Sequence, residues 1–509
     1  MKRFARMTNG FLSGMMTLSL CACGSGNKPD ACADNPDAEG CSRAFAPEAE
    51  EINSANNPDI FSLGLERRFA KLPLKGESKK IPWPGSYWPT YQDSINVKWE
   101  GAGTDSPVAK YGKAFGVSNL EDIISRAYGI DSQRGQKVCK EHSECDGRQG
   151  ERCAKRDGKT EGRCIPGWFG LCHAWGPAAI LEPEPIKDVT VNGVTFKVSD
   201  LKALTTFVYN ALESRFLSQR CNANGSGSAN EIPRDPSGRP TDTICRDTNP
   251  GAFHIVMANF LGIKGQSFVE DRTYDAQVWN QPMRGYEVRE SREVTQKEAM
   301  DLIESKKDET DPEICYPDCT RSVPQDMNKV EFSVEGLGDG IVEYTLELSV
   351  AGTRQTIQDK VANGEWKRYG PFDVKPGDAV SARIDGPMMY EAILREQFRP
   401  MPGLTRAYAF NRNARKLVYV SLASSYISES RSDESGNLAS TIDRYTRRDN
   451  YQYILELNGN GEIIGGEWAG GSHHDHPDNL WLPVRQNAGS ISGVSYEKVK
   501  DLLNRSLAR

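Results

Sequence analysis

Several features that would place this chain in a familiar class are missing from its sequence. No apolar run reaches the roughly 18 residues of a membrane-spanning helix. Positive charge is not in excess, because 63 Lys and Arg face 70 Asp and Glu for a net charge of −7. That balance argues against a general nucleic-acid binder, which would carry a basic field. We find no internal repeat and no HExxH zinc-protease motif.

The sequence is instead rich in cysteine. Its 509 residues correspond to two to four domains, and its 38% hydrophobic content suffices for a sizeable core. Thirteen cysteines indicate an oxidising compartment. A basic start followed by a short apolar run over 11–20 predicts a signal peptide over 1–23. Its end resembles a bacterial lipoprotein cleavage box, with Cys23 as the lipidated residue and Cys21 as the second choice. A plain secretory signal is the alternative, and it also means export.

Changes in composition along the chain predict an α+β protein with two insertions. Helix starts, short strands and Gly/Pro-rich turns alternate after a polar, aromatic-poor stretch that is typical of a flexible tether. The predicted organisation is a tether over 24–75, a first core part over 76–310 with a disulfide-rich insert over 139–164, a β-rich, sandwich-like insertion over 327–390, and a second core part over 405–509.

Counting cysteines singles out one residue. Without Cys21 and Cys23, eleven remain, and ten of them fall into five plausible pairs: two within 139–164, and one each for Cys32–Cys41, Cys221–Cys245 and Cys315–Cys319. Zinc binding by the 139–164 group is less favoured, because no CxxC pair occurs there. The eleventh, Cys172, is left without a partner, so its thiol is a candidate nucleophile. A structural or disulfide-bonded Cys172 is the alternative.

The surroundings of Cys172 favour a catalytic thiol. Gly170 permits a tight turn, and a cysteine at a helix N-terminus gains from the helix dipole. A nucleophile of this kind needs a base and a residue that orients the base. His254, at the start of an apolar run interpreted as a strand, is the candidate base. Asp271, at the end of the next predicted strand, is the candidate acid, with Asp275 and Asn280 as alternatives.

The histidine-rich stretch His473, His474, Asp475, His476 leaves two further alternatives. It has the ligand types of a metal site, although no catalytic motif accompanies it. His476 is also an alternative base for Cys172. The remaining interpretation is a loop with solvated histidines, and we expect neither a metal nor another cofactor.

Seven short motifs resemble the transglutaminase elicitor family of secreted enzymes. They are PWPGSYWP at 82–89, GLCHAWG at 170–176, NPGAFH at 249–254, VWNQP at 278–282, GGEW at 465–468, HPD at 476–478 and LWLP at 480–483. The resemblance spans roughly 78–135, 165–290 and 405–485. It implies a papain-like, transglutaminase-like core in which the family's catalytic cysteine corresponds to Cys172, with His254 as base and Asp271 as acid.

The resemblance implies acyl transfer between proteins. Cys172 would attack the γ-carboxamide of a protein glutamine, and a lysine amine would resolve the thioester into an isopeptide crosslink. The partners would be proteins with exposed Gln and Lys, with membrane contact only through lipid on Cys23. Water as acceptor would instead make the protein a glutamine deamidase or a papain-like cysteine protease. A non-catalytic envelope lipoprotein that binds a partner is the alternative from a different class.

Overall fold

The structure analysed is a computed structural model of the chain. It describes residues 52–304, except 54, 147–149, 220–244 and 274–276, and residues 410–508, except 412, 435 and 474. Between these ranges it describes the backbone of six strands within 318–395. The predicted signal segment, residues 24–51, Cys221 and Cys315 lie outside the described residues. None of the helices within the described ranges is long and apolar enough for a bilayer span.

The described residues form seven α-helices and 21 strands. The helices are α1 Pro107–Phe115, α2 Leu120–Tyr128, α3 Cys172–Leu181, α4 Val198–Val208, α5 Pro250–Met257, α6 Gln296–Glu304 and α7 Tyr496–Leu507. A π-helical segment, Ala258–Lys264, continues α5. The strands are β1 Lys75–Glu77, β2 Val138–Cys139, β3 Arg152–Ala154, β4 Gly162–Ile165, β5 Val189–Val191, β6 Val194–Phe196, β7 Leu212–Phe216, β8 Val269–Asp271, β9 Asn280–Val294, β10 Asp318–Ser322, β11 Lys329–Leu337, β12 Ile341–Glu347, β13 Trp366–Asp373, β14 Ala379–Asp385, β15 Met389–Arg395, β16 Lys416–Ile427, β17 Thr446–Leu457, β18 Ile463–Trp468, β19 Asn479–Gln486, β20 Ser490–Ile491 and β21 Val494–Ser495.

An eight-stranded antiparallel sheet is the centre of the fold. Its strand order is β18-β17-β16-β9-β8-β19-β7, with β1 paired to β9 off this path. The strands after residue 410 therefore pair with those before 295, so the two predicted core parts share one sheet. The mixture of helices and antiparallel sheets confirms the predicted α+β class.

Helices pack on both faces of this sheet. Helix α3 packs against β9 and β19, and the core on its face includes Trp83, Trp88 and Trp175. Helix α5 packs against β17 and β18, and its core includes residues of β16 and β17. Two hydrophobic cores therefore lie on opposite sides of one sheet.

The disulfide-rich insert is a small separate sheet. Strands β2, β4 and β3 pair in that order, and Cys139–Cys153 and Cys145–Cys164 join them. This confirms the two disulfides predicted over 139–164. Cys245 is also disulfide-bonded, while its predicted partner Cys221 lies outside the described residues. These bonds indicate an oxidising compartment for the folded chain.

The β-rich segment contains two three-stranded antiparallel sheets, in the orders β10-β14-β15 and β12-β11-β13. This agrees with the strands expected there. Whether the two sheets form a sandwich stays a prediction.

Three segments differ from the sequence predictions. Residues 55–75, assigned to the tether, pack on the core, because Leu65 and Leu72 bury their side chains within a polar stretch. The amphipathic pattern that begins at Ser199 predicts a helix to about Leu217, but the helix ends at Val208, and β7 follows. The run from His254, predicted as a strand, is helical. Asn249 caps α5 through its side chain, and Pro250 takes the first helical position, where a missing N–H costs nothing.

Candidate active site

Cys172 is the first residue of α3, as the sequence predicts. Of the cysteines whose side chains the structure describes, it alone is outside a disulfide. The turn before it depends on Gly170, because a Cβ there would lie 2.5 Å from Tyr87 Cδ2. The Leu171 N–H donates to the Tyr87 carbonyl at 2.5 Å, which presses the 82–89 segment against the start of the helix.

Aromatic rings surround the thiol. Cys172, only 4% exposed, packs with the buried Tyr87 and Trp279, and half-buried Trp168 covers the group. The rings of Tyr87 and Trp279 lie 5.6 Å apart. The Tyr87 hydroxyl donates to the Gly167 carbonyl at 2.9 Å, so this wall is tied to the loop that leads into Cys172.

A buried lysine holds the 82–89 segment in place. The Lys202 ammonium donates to the Pro84 carbonyl at 2.9 Å and pairs with Glu184 at 2.6 Å. Trp88 in the same segment is 1% exposed with φ at +46°, a region that a bulky residue enters only when its surroundings enforce it. The aromatic wall over Cys172 is therefore fixed by the core on the α3 face.

Two polar groups face the sulfur, one from Val278 just before β9 and one from Asn280, the first residue of β9. The Cys172 thiol donates to the Val278 carbonyl at 3.4 Å. The Asn280 side-chain amide lies 3.8 Å from the sulfur and, together with the Asn280 peptide N–H, lowers the pKa of the thiol. The Asn280 Oδ1 accepts the indole N–H of Trp481 at 2.8 Å.

Asp271 lies on the same face of the sheet. It is the register partner of Asn280 across β8 and β9, and of Asn479 across β8 and β19. Its Oδ1 accepts the Trp279 N–H at 2.8 Å and the Thr273 hydroxyl at 3.1 Å, and its Oδ2 accepts the Asn479 amide at 3.3 Å. These donors stabilise a buried carboxylate. The structure therefore brings together Cys172, Asp271 and Asn280.

The resting thiol is protonated. Burial raises the pKa of Cys172 to about 12, and the carboxylates of Glu429 and Asp271 add to the rise. The two Asn280 donors oppose it, as does the N-terminus of α3. A role as nucleophile would require that the thiol lose this proton, and Asp271 lies on the same sheet face.

His254 lies elsewhere. It is on α5, its Nδ1 hydrogen-bonds the Tyr453 hydroxyl at 2.8 Å, and Phe69 packs against its ring. Burial lowers the pKa of His254 to about 3, so the ring is neutral.

Strand alternation shows on which side this ring lies. Phe253, next to His254 on α5, contacts Tyr451, whose hydroxyl donates to Glu270. Successive strand residues point to opposite faces, so Glu270 and its neighbour Asp271 face different sides. Since Asp271 shares the face of Cys172, the structure leaves His254 on the opposite face. Its role as base stays a prediction.

Of the other sequence candidates, His476 contacts residues other than Cys172. The ring of His476 stacks on Trp468 at 5.0 Å, and its Nδ1 lies 2.8 Å from the Ser472 carbonyl. His474, the side chain of His473, and Asp275 lie outside the described residues. Within the described part of the chain, the one cluster with metal-ligand spacing is Cys139, Cys145 and Cys164, whose sulfurs are in disulfides.

Sequence reasoning missed Trp481, Asn479 and Glu429. Trp481 belongs to the LWLP motif, which carried the resemblance without a role for this residue, and Asn479 directly precedes that motif. Glu429 accepts the Gln281 amide at 2.6 Å and is buried, in a stretch without any local signal. Trp481 and Asn479 reach the site because β19 pairs with β8, and Glu429 reaches it through Gln281, so no local pattern could reveal them.

Comparisons with known proteins agree with the motifs. The family model described as transglutaminase elicitor matches residues 55–335 and 403–509. The crystal structure of the GP42 transglutaminase from Phytophthora sojae is similar to this chain, with 33% sequence identity and a TM-score of 0.60. The match covers 90% of this chain and 99% of that one. No curated protein matches the chain.

Proposed function

The chain belongs to the transglutaminase elicitor family, and on that premise we propose that it is a cysteine-dependent protein-glutamine γ-glutamyltransferase. The observation that carries the proposal is the disulfide-free Cys172 at the start of α3, with Asn280 donors on its sulfur and Asp271 on the same sheet face. The substrates are proteins with exposed glutamine and lysine.

The proposed chemistry uses Asp271 as proton acceptor. As the glutamine carboxamide enters, the thiol proton passes to the Asp271 carboxylate, and the sulfur attacks the amide carbon. The tetrahedral intermediate collapses, the C–N bond breaks, and ammonia leaves with the proton from Asp271. A lysine amine then attacks the thioester, its proton passes to Asp271, the C–S bond breaks to give the isopeptide bond, and the leaving thiolate takes that proton from Asp271.

The aromatic wall favours an amine over water in the second step. Tyr87, Trp279 and Trp168 surround the sulfur with apolar surface, which supports exclusion of water from the thioester. With water as acceptor, the same residues would release glutamate, which is deamidation. A Trp279→Ala variant should therefore raise hydrolysis relative to transfer.

Fluorescent amine incorporation into a glutamine-rich protein tests the proposal. Wild type should incorporate the amine, and Cys172→Ser and Asp271→Asn should abolish incorporation while staying folded. His173→Ala is the matched control, because His173 adjoins Cys172 but points outward to Asn210. Activity that survives Cys172→Ser would refute the proposal. Ammonia release or cleavage without incorporation would indicate a deamidase or protease, and silence in all assays a binding protein.

The remaining predictions also stand as proposals. Export through the segment 1–23 and lipidation of Cys23 would fix the enzyme to an envelope surface, and labelling with a palmitate analogue tests this. Absence of label on the mature chain would leave a secreted enzyme. A papain-like relation of the core stays a prediction of the resemblance, and the position of His254 across the sheet is the feature that it must accommodate.

A further inference from the structure

We propose that Asn280 is a further catalytic residue, which donates hydrogen bonds to the reacting sulfur and to the oxyanion, and that Trp481 is the positioning residue that sets its amide. This inference rests on the proposed function and assigns Asn280 a role within the same site. It differs from the role that the sequence left open for Asn280, which was to orient a catalytic base.

Hydrogen-bond chemistry fixes the direction of the Asn280 amide. An indole N–H can only donate, so the atom that meets Trp481 Nε1 at 2.8 Å must be the amide oxygen. The amide nitrogen is then the atom directed at Cys172 Sγ, 3.8 Å away. With its oxygen held by the Trp481 indole and its nitrogen directed at the sulfur, the Asn280 amide is oriented as a donor to Cys172.

Trp481 is itself immobilised. Its ring is 4% exposed and packs with Ile180 of α3 and Val269 of β8. Its face stacks on Phe216 of the neighbouring strand, with ring centroids 5.9 Å apart. The indole therefore cannot follow a rotating amide, and a flip of Asn280 would leave two buried N–H groups facing each other.

The donors of Asn280 gain strength during the reaction. A neutral thiol accepts hydrogen bonds weakly, whereas a thiolate or an oxyanion accepts charge-assisted bonds about twice as strong. The peptide N–H of Asn280, like its side-chain amide, lowers the pKa of the Cys172 thiol, so both groups favour the thiolate. The N–H of Cys172, as the first residue of α3, has no intrahelical acceptor and is available for the same oxyanion. Interactions that strengthen in the transition state raise kcat rather than lower KM.

The test compares two tryptophan-to-phenylalanine substitutions. Trp481→Phe removes the indole N–H and keeps most of the ring. Trp468→Phe is the matched control: its buried indole N–H donates to the Thr248 carbonyl at 2.9 Å, on the opposite sheet face. Each substitution removes one buried hydrogen bond, so their effects on stability should be similar, and only Trp481→Phe should affect chemistry.

The quantities to measure are kcat and KM for amine incorporation and the pH profile of Cys172 alkylation by iodoacetamide. Trp481→Phe should lower kcat about tenfold, the scale of one lost hydrogen bond, with KM unchanged. Asn280→Ala should lower kcat by about 10²–10³, as for loss of an oxyanion-hole donor. Both should shift the alkylation profile to higher pH, and Trp468→Phe should shift neither quantity.

The outcomes separate this inference from the proposed function. If wild type transfers amines but Trp481→Phe matches Trp468→Phe in kcat and alkylation profile, the inference is refuted and the function stands. If wild type transfers nothing, the proposed function fails, and the alkylation profile still decides about the Asn280 donors. Should Asn280→Ala fail to fold, Trp481→Phe decides alone.

Discussion

The pH dependence of stability should depend on one buried acid, Glu270. This residue lies in β8 beside Asp271 but faces the other side of the sheet, fully buried. Its Oε1 accepts the Tyr451 hydroxyl at 3.0 Å, and its Oε2 has no hydrogen-bond partner within the described part of the chain. Burial raises the pKa of Glu270 to about 8, and the nearby Asp449 charge adds to the rise, while Arg272 opposes it.

The expected magnitude follows from that pKa. The folded protein keeps a proton on Glu270 that the unfolded chain has lost above its ordinary pKa of 4.5. The stabilisation is therefore fully present below the unfolded value and is lost as pH rises through the folded value. Each pH unit in this window costs about 1.4 kcal/mol. Between pH 6.5 and pH 9, only the roughly 1.5 pH units below the folded pKa of Glu270 contribute. Over this interval Glu270 should lower the free energy of unfolding by about 2 kcal/mol.

Glu270→Gln isolates this contribution, because the amide keeps an acceptor for Tyr451 and cannot ionise. Urea unfolding of both proteins at pH 6.5 and pH 9 gives the free energies. Other titrating groups affect both proteins alike and cancel in the difference. We expect the stability difference between the two proteins to shift by about 2 kcal/mol in favour of the variant between pH 6.5 and pH 9. Parallel stability curves across this range would refute the buried, protonated state of Glu270.

Three further predictions concern the surroundings of the site. The His254→Asn variant should retain amine incorporation, because the Asn amide can keep the hydrogen bond at the Nδ1 position. The His254→Ala variant loses this bond and should lower the free energy of unfolding by about 1–3 kcal/mol. Loss of activity in both folded variants would support the base predicted from the sequence. Replacing Cys145 and Cys164 together by Ala opens a disulfide of sequence separation 19 and should cost about 3 kcal/mol in denaturant unfolding. Lys202→Met leaves the buried carboxylate of Glu184 without its cation and should cost about 3–5 kcal/mol, measured in the same way; an unchanged midpoint would contradict the anchoring of the 82–89 segment.

Much of the fold follows from local patterns in the sequence. The residue patterns over 416–427, 451–457 and 462–468 predict three strands, and β16, β17 and β18 lie there, because alternation along a half-buried strand is a local property. The disulfide pair in 139–164 follows from composition. The strand predicted from His254 was wrong. Its apolar residues suit a strand or a helix equally well, and the Asn249 cap and Pro250 at the first helical position favour the helix α5.

The candidate site likewise contains residues that local patterns predict and residues that only strand pairing brings to it. Cys172 at a helix start could be predicted, because glycine before it and small residues after it are local signals. The link from Trp481 to Asn280 joins residues 201 positions apart, and it exists only because β19 pairs with β8 and β8 with β9. A sequence motif can contain such a residue without indicating its role, as LWLP does here.

The two acids at the end of β8 show which information was missing. Once residues 267–271 are read as a strand, alternation requires that Glu270 and Asp271 point to opposite faces, so only one of them can reach Cys172. The choice between them depends on which face α3 covers, and that is settled by the packing of Ile180 against Val269 and Trp481. The same choice separates His254 from Cys172, because α5 covers the other face. The order Cys, His, Asp along a chain therefore predicts a triad only when it is known which face of the sheet each helix covers and each strand residue faces. Here Cys172 and Asp271 share one face.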